Sequence, residues 1–110
     1  MTRQAILGEF EQLVLLAVLQ LDDNAYGPEI SALLEERAGR QVSRGALYSS
    51  LDRLEAKGFL EWRLHEPSPE RGGHPKRCFN VTEMGMVALR TAREAMRNLS
   101  TGLEDLLGEA

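Results

Sequence analysis

The stretch from Ser43 to Gly58 constrains the fold of this chain most, because it can form a helix with two unlike faces. Leu47, Leu51 and Leu54 recur at steps of four and three, so they form one apolar stripe that a core must bury. Ser43 suits an N-cap, and Gly58 suits the left-handed position after a helix. The opposite face is small or polar and carries Gly45, Ser49, Asp52 and Ala56, flanked by Tyr48 and Arg53. This pattern favours a helix whose apolar stripe packs against a core while its polar face binds in a groove.

The distribution of charge indicates that the groove belongs to DNA, although the net charge of the chain is −4. Residues 1–39 carry two Lys/Arg against seven Asp/Glu, a net of −5, and residues 98–110 add three acids and no base. Residues 40–97 carry eleven bases against seven acids, a net of +4. Local charge near the phosphates, rather than total charge, sets the electrostatic part of DNA binding. We therefore expect the two-faced helix to enter the major groove.

The composition predicts a single soluble domain. With 110 residues and 43% hydrophobic content, the chain is long enough for one core but not for two. Cys78 is the only cysteine, which excludes an internal disulfide framework and a cysteine-based zinc site. The apolar run from Leu13 to Leu19 is far shorter than the roughly 20 residues that cross a bilayer. No signal peptide is visible, so we expect a cytoplasmic protein without membrane contact.

The chain offers no pattern typical of catalysis or metal binding. There is no nucleophile elbow, phosphate-binding loop or paired-carboxylate motif. His65 and His74 are too few and too scattered for a metal site. We expect neither an enzyme nor a cofactor nor a bound metal.

The residues before the two-faced helix predict its usual structural partner. Residues 8–20 favour a helix that is apolar nearly all round, and such a helix is buried or shared with a second subunit. A second helix is predicted with Gly27 as N-cap, Pro28 at its first position and Gly39 at its end. A four-residue linker leads to Ser43. Two short helices joined so tightly are typical of a helix-turn-helix.

The residues after Gly58 predict a β-hairpin with a basic loop. Residues 59–65 alternate loosely as a strand would, residues 66–75 are too rich in Pro and Gly for regular structure, and residues 76–81 predict the returning strand. A hairpin directly after a recognition helix is a wing. The expected fold class is therefore mainly α with a small β-hairpin (α+β), a winged helix-turn-helix within residues 1–82.

Residues 83–110 are expected to form a dimerisation helix within the same compact unit. Thr82 is a suitable cap, and the helix is predicted to run to about Leu107. Apolar residues on it recur at alternating steps of three and four, which is a coiled-coil seam. A terminal helix of a small domain has little else to pack against, so a second copy of the chain is the expected partner. The predicted interface residues are Leu89, Ala92, Met96, Leu99, Leu103 and Leu106.

Several short motifs are spread over about residues 7–90. They are Leu7-Gly8-Glu9-Phe10-Glu11, Tyr26-Gly27 with Ile30, Ser43-x-Gly45-Ala46-Leu47-Tyr48-x-x-Leu51-x-Arg53-Leu54-Glu55-x-x-Gly58, Arg71-Gly72-Gly73 with Lys76-Arg77, and Val81-Thr82-x-x-Gly85. In these motifs the chain resembles the PadR family of transcriptional regulators, in its short form with one terminal helix. Two departures stand out: Ser49 occupies a position where family members often have Pro, and Cys78 and Phe79 stand where two tyrosines are frequent.

The resemblance implies a homodimer that binds operator DNA, and many members of the family are repressors released by a small molecule or by stress. We expect Ser49 and Arg53 to meet bases, and Tyr48 to meet a base edge or the phosphate backbone. Arg44 and the wing are expected to meet phosphates, with Lys57 as a further candidate. Tyr48 has an alternative role as a half-buried ring that closes the core. The predicted DNA-binding set is Arg44, Tyr48, Ser49, Arg53, Arg71, His74, Lys76 and Arg77.

Two alternatives to operator binding stay open. The acidic first third of the chain is compatible with a module that binds other proteins through a winged fold. A small-molecule sensor with a pocket at the dimer interface is the other alternative, and Trp62, the only tryptophan, is its candidate ligand residue. Plain packing beside Phe59 is the simpler role for Trp62.

Overall fold

The computed structural model describes residues 7–65 and 75–108 of the chain. Within these ranges the fold is mainly helical with one two-stranded antiparallel hairpin, which confirms the predicted α+β class. The predicted wing loop falls largely on residues 66–74, which lie outside the described residues. The elements in chain order are α1 (Glu9–Leu21), a 3₁₀ turn (Asp22–Asn24), α2 (Gly27–Ala38), α3 (Arg44–Ala56), β1 (Leu60–His65), β2 (Lys76–Val81), α4 (Glu83–Ser100) and α5 (Glu104–Leu107).

The apolar stripe of α3 lies in the centre of one hydrophobic core, as its spacing predicted. Leu47, Leu51 and Leu54 are all fully buried. The inner side of α1 covers these leucines. Much of the apolar surface of α1 is therefore buried within its own chain. The other buried members of the core are Leu7, Val14, Leu15, Ala17, Val18, Ala25, Ile30, Leu34, Phe59, Leu60, Phe79 and Leu89.

Local hydrogen bonds fix both ends of α3. The Ser43 hydroxyl accepts the backbone N–H of Ala46 at 3.1 Å, which satisfies a free donor of the first turn. Gly58 adopts φ +82°, and its N–H donates to the carbonyl of Glu55. The N–H of Phe59 then donates to the carbonyl of Leu54, which completes a Schellman ending. The sequence signals at the two ends of this helix therefore have the expected structural roles.

The start of α2 differs by one residue from the prediction. Tyr26, not Gly27, is the N-cap, because its backbone is extended while its carbonyl accepts the N–H of Ile30 at 2.9 Å. Gly27 and Pro28 are the first two helical residues. Pro28 lacks an N–H, but the N–H groups of the first turn have no partner within the helix, so no helical hydrogen bond is lost. The helix ends at Gly39 in a left-handed conformation, as predicted.

The hairpin is joined to the helices through β2. Its register pairs Leu60 with Val81 at one end and His65 with Lys76 at the other. The N–H of Phe79 donates to the carbonyl of Ala25 at 2.9 Å, on the connection between α1 and α2. This bond fixes the hairpin beside the helix-turn-helix and completes a winged helix.

The terminal helix is shorter than predicted, since α4 ends at Ser100 and not near Leu107. The hydroxyls of Ser100 and Thr101 both donate to the carbonyl of Arg97, and Gly102 follows at φ +92°. Hydroxyl groups that capture backbone carbonyls compete with the helical ladder, and a left-handed glycine ends it. The last predicted turns therefore form a separate four-residue helix, α5, which carries Leu106 and is preceded by Leu103.

Candidate nucleic-acid interface

The outward face of α3 is open and free of bulky groups, as the sequence predicted. Gly45, Ser49, Asp52 and Ala56 are all exposed. A Cβ built on Gly45 would meet nothing within 4 Å, so this part of the helix surface is accessible to a large ligand. The core holds the opposite side of the same helix, so the face is presented on a rigid support.

A cleft of about 720 Å³ lies beside this face, between the first residues of α2, α3 and β2. Tyr48 forms part of its wall and is half-buried. A Cβ added to Gly27 would lie 2.1 Å from the Tyr48 hydroxyl, so the ring rests directly on this glycine. The Tyr-Gly and Leu-Tyr motifs, 21 residues apart in the chain, therefore meet in space. The cleft is lined by Tyr26, Gly27, Pro28, Arg44, Gly45, Tyr48, Pro75, Lys76 and Arg77.

Three of the predicted basic residues converge on the cleft. The guanidinium groups of Arg44 and Arg77 lie 5.7 Å and 5.3 Å from the centre of the Tyr48 ring. The ammonium group of Lys76 lies 5.9 Å from the ring of Tyr26. Cations at such distances are attracted to the ring faces. Positive charge therefore extends along the cleft from the open face of α3 to the base of the wing.

Arg53 lies on the other flank of α3, where it is drawn towards the protein. Its side chain is 56% exposed, and its guanidinium donates to the Ser50 hydroxyl at 3.3 Å. The same group lies 3.8 Å from the Glu11 carboxylate, a long and weak ion pair. Arg53 and Ser49 line a shallow groove of about 430 Å³ together with Phe10, Arg40, Gln41, Val42, Ala46 and Ser50.

Glu11 ties α1 to the end of α3, a role that the sequence reading missed. Its carboxylate accepts a 2.8 Å hydrogen bond from Lys57 and a 2.9 Å bond from the backbone N–H of Gly8. Burial alone raises the pKa of Glu11, but these hydrogen bonds and the charges of Lys57 and Arg53 lower it overall, below its ordinary value of 4.5. The signal in the sequence for this role was an acidic residue on an otherwise apolar face of α1.

Three further predicted site residues are Arg71, His74 and Trp62. Arg71 and His74 lie outside the described residues. Trp62 is half-buried and packs against the core from β1. Its indole N–H is buried and finds no acceptor in the described part of the chain. Cys78, also buried, donates its thiol to the carbonyl of Asp23 at 3.4 Å.

Among the described residues, no group of three or more His, Cys, Asp or Glu side chains is placed to hold a metal ion. None of the helices in residues 7–65 and 75–108 has the length and apolar character that crossing a bilayer requires.

Comparison with solved structures identifies close structural relatives. A PadR-like transcriptional regulator from Bacillus cereus strain ATCC 14579 has a TM-score of 0.72 and 25% identity over 92% of this chain and 93% of that one. A PadR family transcription regulator from hypervirulent Clostridium difficile R20291 has a TM-score of 0.70 and 26% identity, over 90% and 99% of the two chains. A PadR-like transcription factor from Bacteroides fragilis has a TM-score of 0.68 and 26% identity, with 88% of each chain covered.

The sequence comparison agrees with the structural one. No curated protein matches the chain. The profile of the Transcriptional regulator PadR-like family, however, matches residues 15–91, from α1 into α4. This match spans the helix-turn-helix, the cleft and the hairpin described above. The chain belongs to the PadR-like family of transcriptional regulators, and it is a DNA-binding regulator built on a winged helix, not an enzyme.

Proposed function

We propose that this chain binds an inverted-repeat operator as a homodimer and represses transcription there. The observation that supports the proposal best is the open face of α3, which has a basic cleft on one flank. A helix with short side chains can approach base edges closely, and cations beside it meet the phosphates that border the major groove.

The two flanks of α3 are proposed to have different tasks. Ser49 and Arg53 would contact bases, since both lie on the exposed side of the helix. The weak contacts of Arg53 with Ser50 and Glu11 leave its guanidinium able to turn towards a guanine, the base that arginine reads best. Tyr48, held on Gly27, would meet a base edge or the adjoining sugar and phosphate.

The proposed phosphate contacts surround this face. Arg44 is exposed in the first turn of α3, and Lys76 opens β2 across the cleft. Arg71 and His74 belong to the proposed contacts of the wing, and Lys57 is a further candidate at the other end of α3. Each phosphate that a cation neutralises should steepen the salt dependence of binding by about 0.9 in the slope of log K against log salt.

The proposed dimer uses the terminal helix. From Ala92 onward α4 has little cover, with Met96 and Leu99 respectively 68% and 82% exposed, and Leu103 and Leu106 continue the apolar surface. Pairing with a second copy would remove this surface from water. A two-fold axis would then place two α3 helices in successive major grooves, about 34–36 Å apart. Leu89 is 3% exposed and lies in the core of its own chain, so the surface offered to the partner begins after it.

We also propose the simplest regulatory consequence. A dimer that covers a promoter would exclude the polymerase, so repression in the cytoplasm would follow from occupancy alone. A small-molecule effector would bind in a pocket at the dimer interface, with Trp62 as the candidate ligand residue. Titration with planar aromatic compounds, followed by the fluorescence of Trp62, tests whether such a pocket exists.

A gel-shift titration with the region upstream of the gene that encodes the chain tests operator binding. We expect a discrete complex at low salt and a steep loss of affinity as salt rises. Arg53→Ala should weaken binding to this fragment by more than binding to a scrambled duplex, and Arg44→Ala, its matched control, should weaken both alike. A wild-type protein that binds neither duplex at low ionic strength would leave a protein-interaction module as the better account.

A further inference from the structure

We propose that Arg77 is a positioning residue that sets the angle between the hairpin and α3, and that it does not serve as a phosphate contact. This inference rests on the proposed function, because its purpose is the correct presentation of α3 to bases. It separates Arg77 from Lys76, its neighbour in the chain, although both residues line the same cleft.

The aromatic surroundings of Arg77 are the first support. Its guanidinium carbon lies 5.1 Å from the ring centre of Trp62, 5.3 Å from that of Tyr48 and 5.4 Å from that of Phe79. Two of these rings belong to the hairpin and the third belongs to α3. A planar guanidinium can stack on several rings at once, which a point charge such as an ammonium group does less well. Arg77 therefore joins the two elements through its own side chain.

The ion pair with Asp52 is the second support. One terminal nitrogen of Arg77 lies 3.5 Å from a carboxylate oxygen of Asp52 on the outward face of α3. An unpaired carboxylate there would repel the phosphates of an approaching duplex. The charge of Arg77 is thus partly opposed by a carboxylate on the helix that it supports, and less of it remains for DNA.

The neighbouring cations make the contrast clear. Arg44 is an exposed residue, whereas the side chain of Arg77 is only 31% exposed. Within the described part of the chain, Lys76 approaches one ring, that of Tyr26, at 5.9 Å. Arg77 has three rings and a carboxylate, and these contacts span the gap between β2 and α3. Turning its guanidinium towards a phosphate would break these contacts together.

Substitution by lysine distinguishes positioning from phosphate contact, because lysine keeps the charge and loses the planar group. We expect Arg77→Lys to lose roughly tenfold in affinity for the upstream fragment, about as much as Arg77→Ala loses. Binding to a scrambled duplex should change little, and the salt slope should stay near that of the wild type. Arg44→Lys and Arg44→Ala are the matched controls, with a small loss for lysine and a shallower slope, by about 0.9, for alanine.

A readout without DNA tests the same contacts in the free protein. Trp62 is the only tryptophan and lies under the Arg77 guanidinium, so its emission reports the stack. We expect Arg77→Lys and Asp52→Asn to shift this emission while far-UV circular dichroism stays unchanged. Arg44→Lys should leave the emission as it is, because Arg44 stacks on Tyr48 and not on Trp62.

The outcomes separate this inference from the proposed function. Unaltered Trp62 emission in both Arg77 and Asp52 variants overturns the positioning role, whatever the DNA results are. So does near wild-type binding by Arg77→Lys combined with a shallower salt slope in Arg77→Ala, which is the signature of a phosphate contact. If the wild type binds no duplex but the emission shifts, Arg77 still joins α3 to the hairpin and operator binding alone is overturned.

Discussion

The two halves of α4 differ sharply in what covers them. Its first turns are built into the winged core: Thr82 donates its hydroxyl to the carbonyl of Gly58 at 2.6 Å, and a Cβ on Gly85 would lie 2.3 Å from the carbonyl oxygen of Phe59. Its last turns project with apolar side chains largely exposed, Leu99 at 82%. The first turns of α4 therefore belong to the core of a single chain, whereas its last turns carry the exposed apolar surface that the proposed dimer would cover.

Truncation of a core leucine should show that the winged core is self-sufficient. Leu51→Ala removes a fully buried side chain of α3 and should lower the free energy of unfolding by about 2–5 kcal/mol. Urea denaturation at matched protein concentrations measures the change. Leu99→Ala is the control, because its side chain is exposed in the single chain; an equal loss of core stability in both variants would contradict the division of α4.

A charge on the projecting end should act on assembly and leave the fold intact. Leu99→Glu places a carboxylate in the proposed interface, and loss of one buried leucine there corresponds to about 1.5–3 kcal/mol, or roughly tenfold or more in the dimer dissociation constant. Sedimentation over a range of concentrations measures it. Asn98→Glu adds the same charge at the neighbouring exposed position and should matter less. Identical behaviour of the two variants would place the interface elsewhere.

A methyl group under Tyr48 should disturb the DNA-facing cleft more than the core. In Gly27→Ala the new Cβ would lie 2.1 Å from the Tyr48 hydroxyl and 2.7 Å from the ring carbon that carries it, so the rigid ring must move as a unit along the wall of the cleft. We expect a loss of several-fold, about 1 kcal/mol, in affinity for the upstream fragment. The free energy of unfolding should change by less than that. The same small change is expected in Gly45→Ala, whose Cβ points into open space. A large loss of stability in Gly27→Ala would show instead that Tyr48 closes the core.

The smallest expected effect concerns the ion pair between α1 and α3. Glu11→Gln should cost roughly 1 kcal/mol, because the partner Lys57 is partly exposed. Since the pKa of folded Glu11 lies below its ordinary value of 4.5, its contribution is complete above that value and is lost as pH falls through the folded pKa. The melting temperatures of the wild type and the variant should therefore approach each other as the pH is lowered. A difference that persists undiminished at low pH would exclude this ion pair as its source.

The sequence alone predicted those parts of the fold that local rules govern. The leucine spacing of α3, the cap at Ser43 and the left-handed Gly58 each depend on residues within a few positions. The end of α4 was predicted wrongly, because the apolar spacing continues beyond the point where the helix stops. The hydroxyl hydrogen bonds of Ser100 and Thr101 and the positive φ of Gly102 end the helix there. Periodicity shows which side of a helix is apolar but not where the backbone leaves it.

The candidate site was predictable as a set of residue types and not as a set of contacts. The outward face of α3 follows from the helical repeat. The pairing of Asp52 with Arg77 and of Glu11 with Lys57 joins residues 25 and 46 positions apart, and only the fold brings them together. Such long-range charge pairs oppose part of the basic charge, so charge counting along the sequence overestimates the number of unpaired cations.

Footprinting of the dimer on the region upstream of its gene tests the central claim most directly. The claim is that two copies of the open α3 face meet one duplex with two-fold symmetry. It predicts two protected major-groove patches of related, inverted sequence, with centres about one helical turn, 10–10.5 base pairs, apart. A single protected patch occupied by one chain, or protection that ignores sequence, would contradict it.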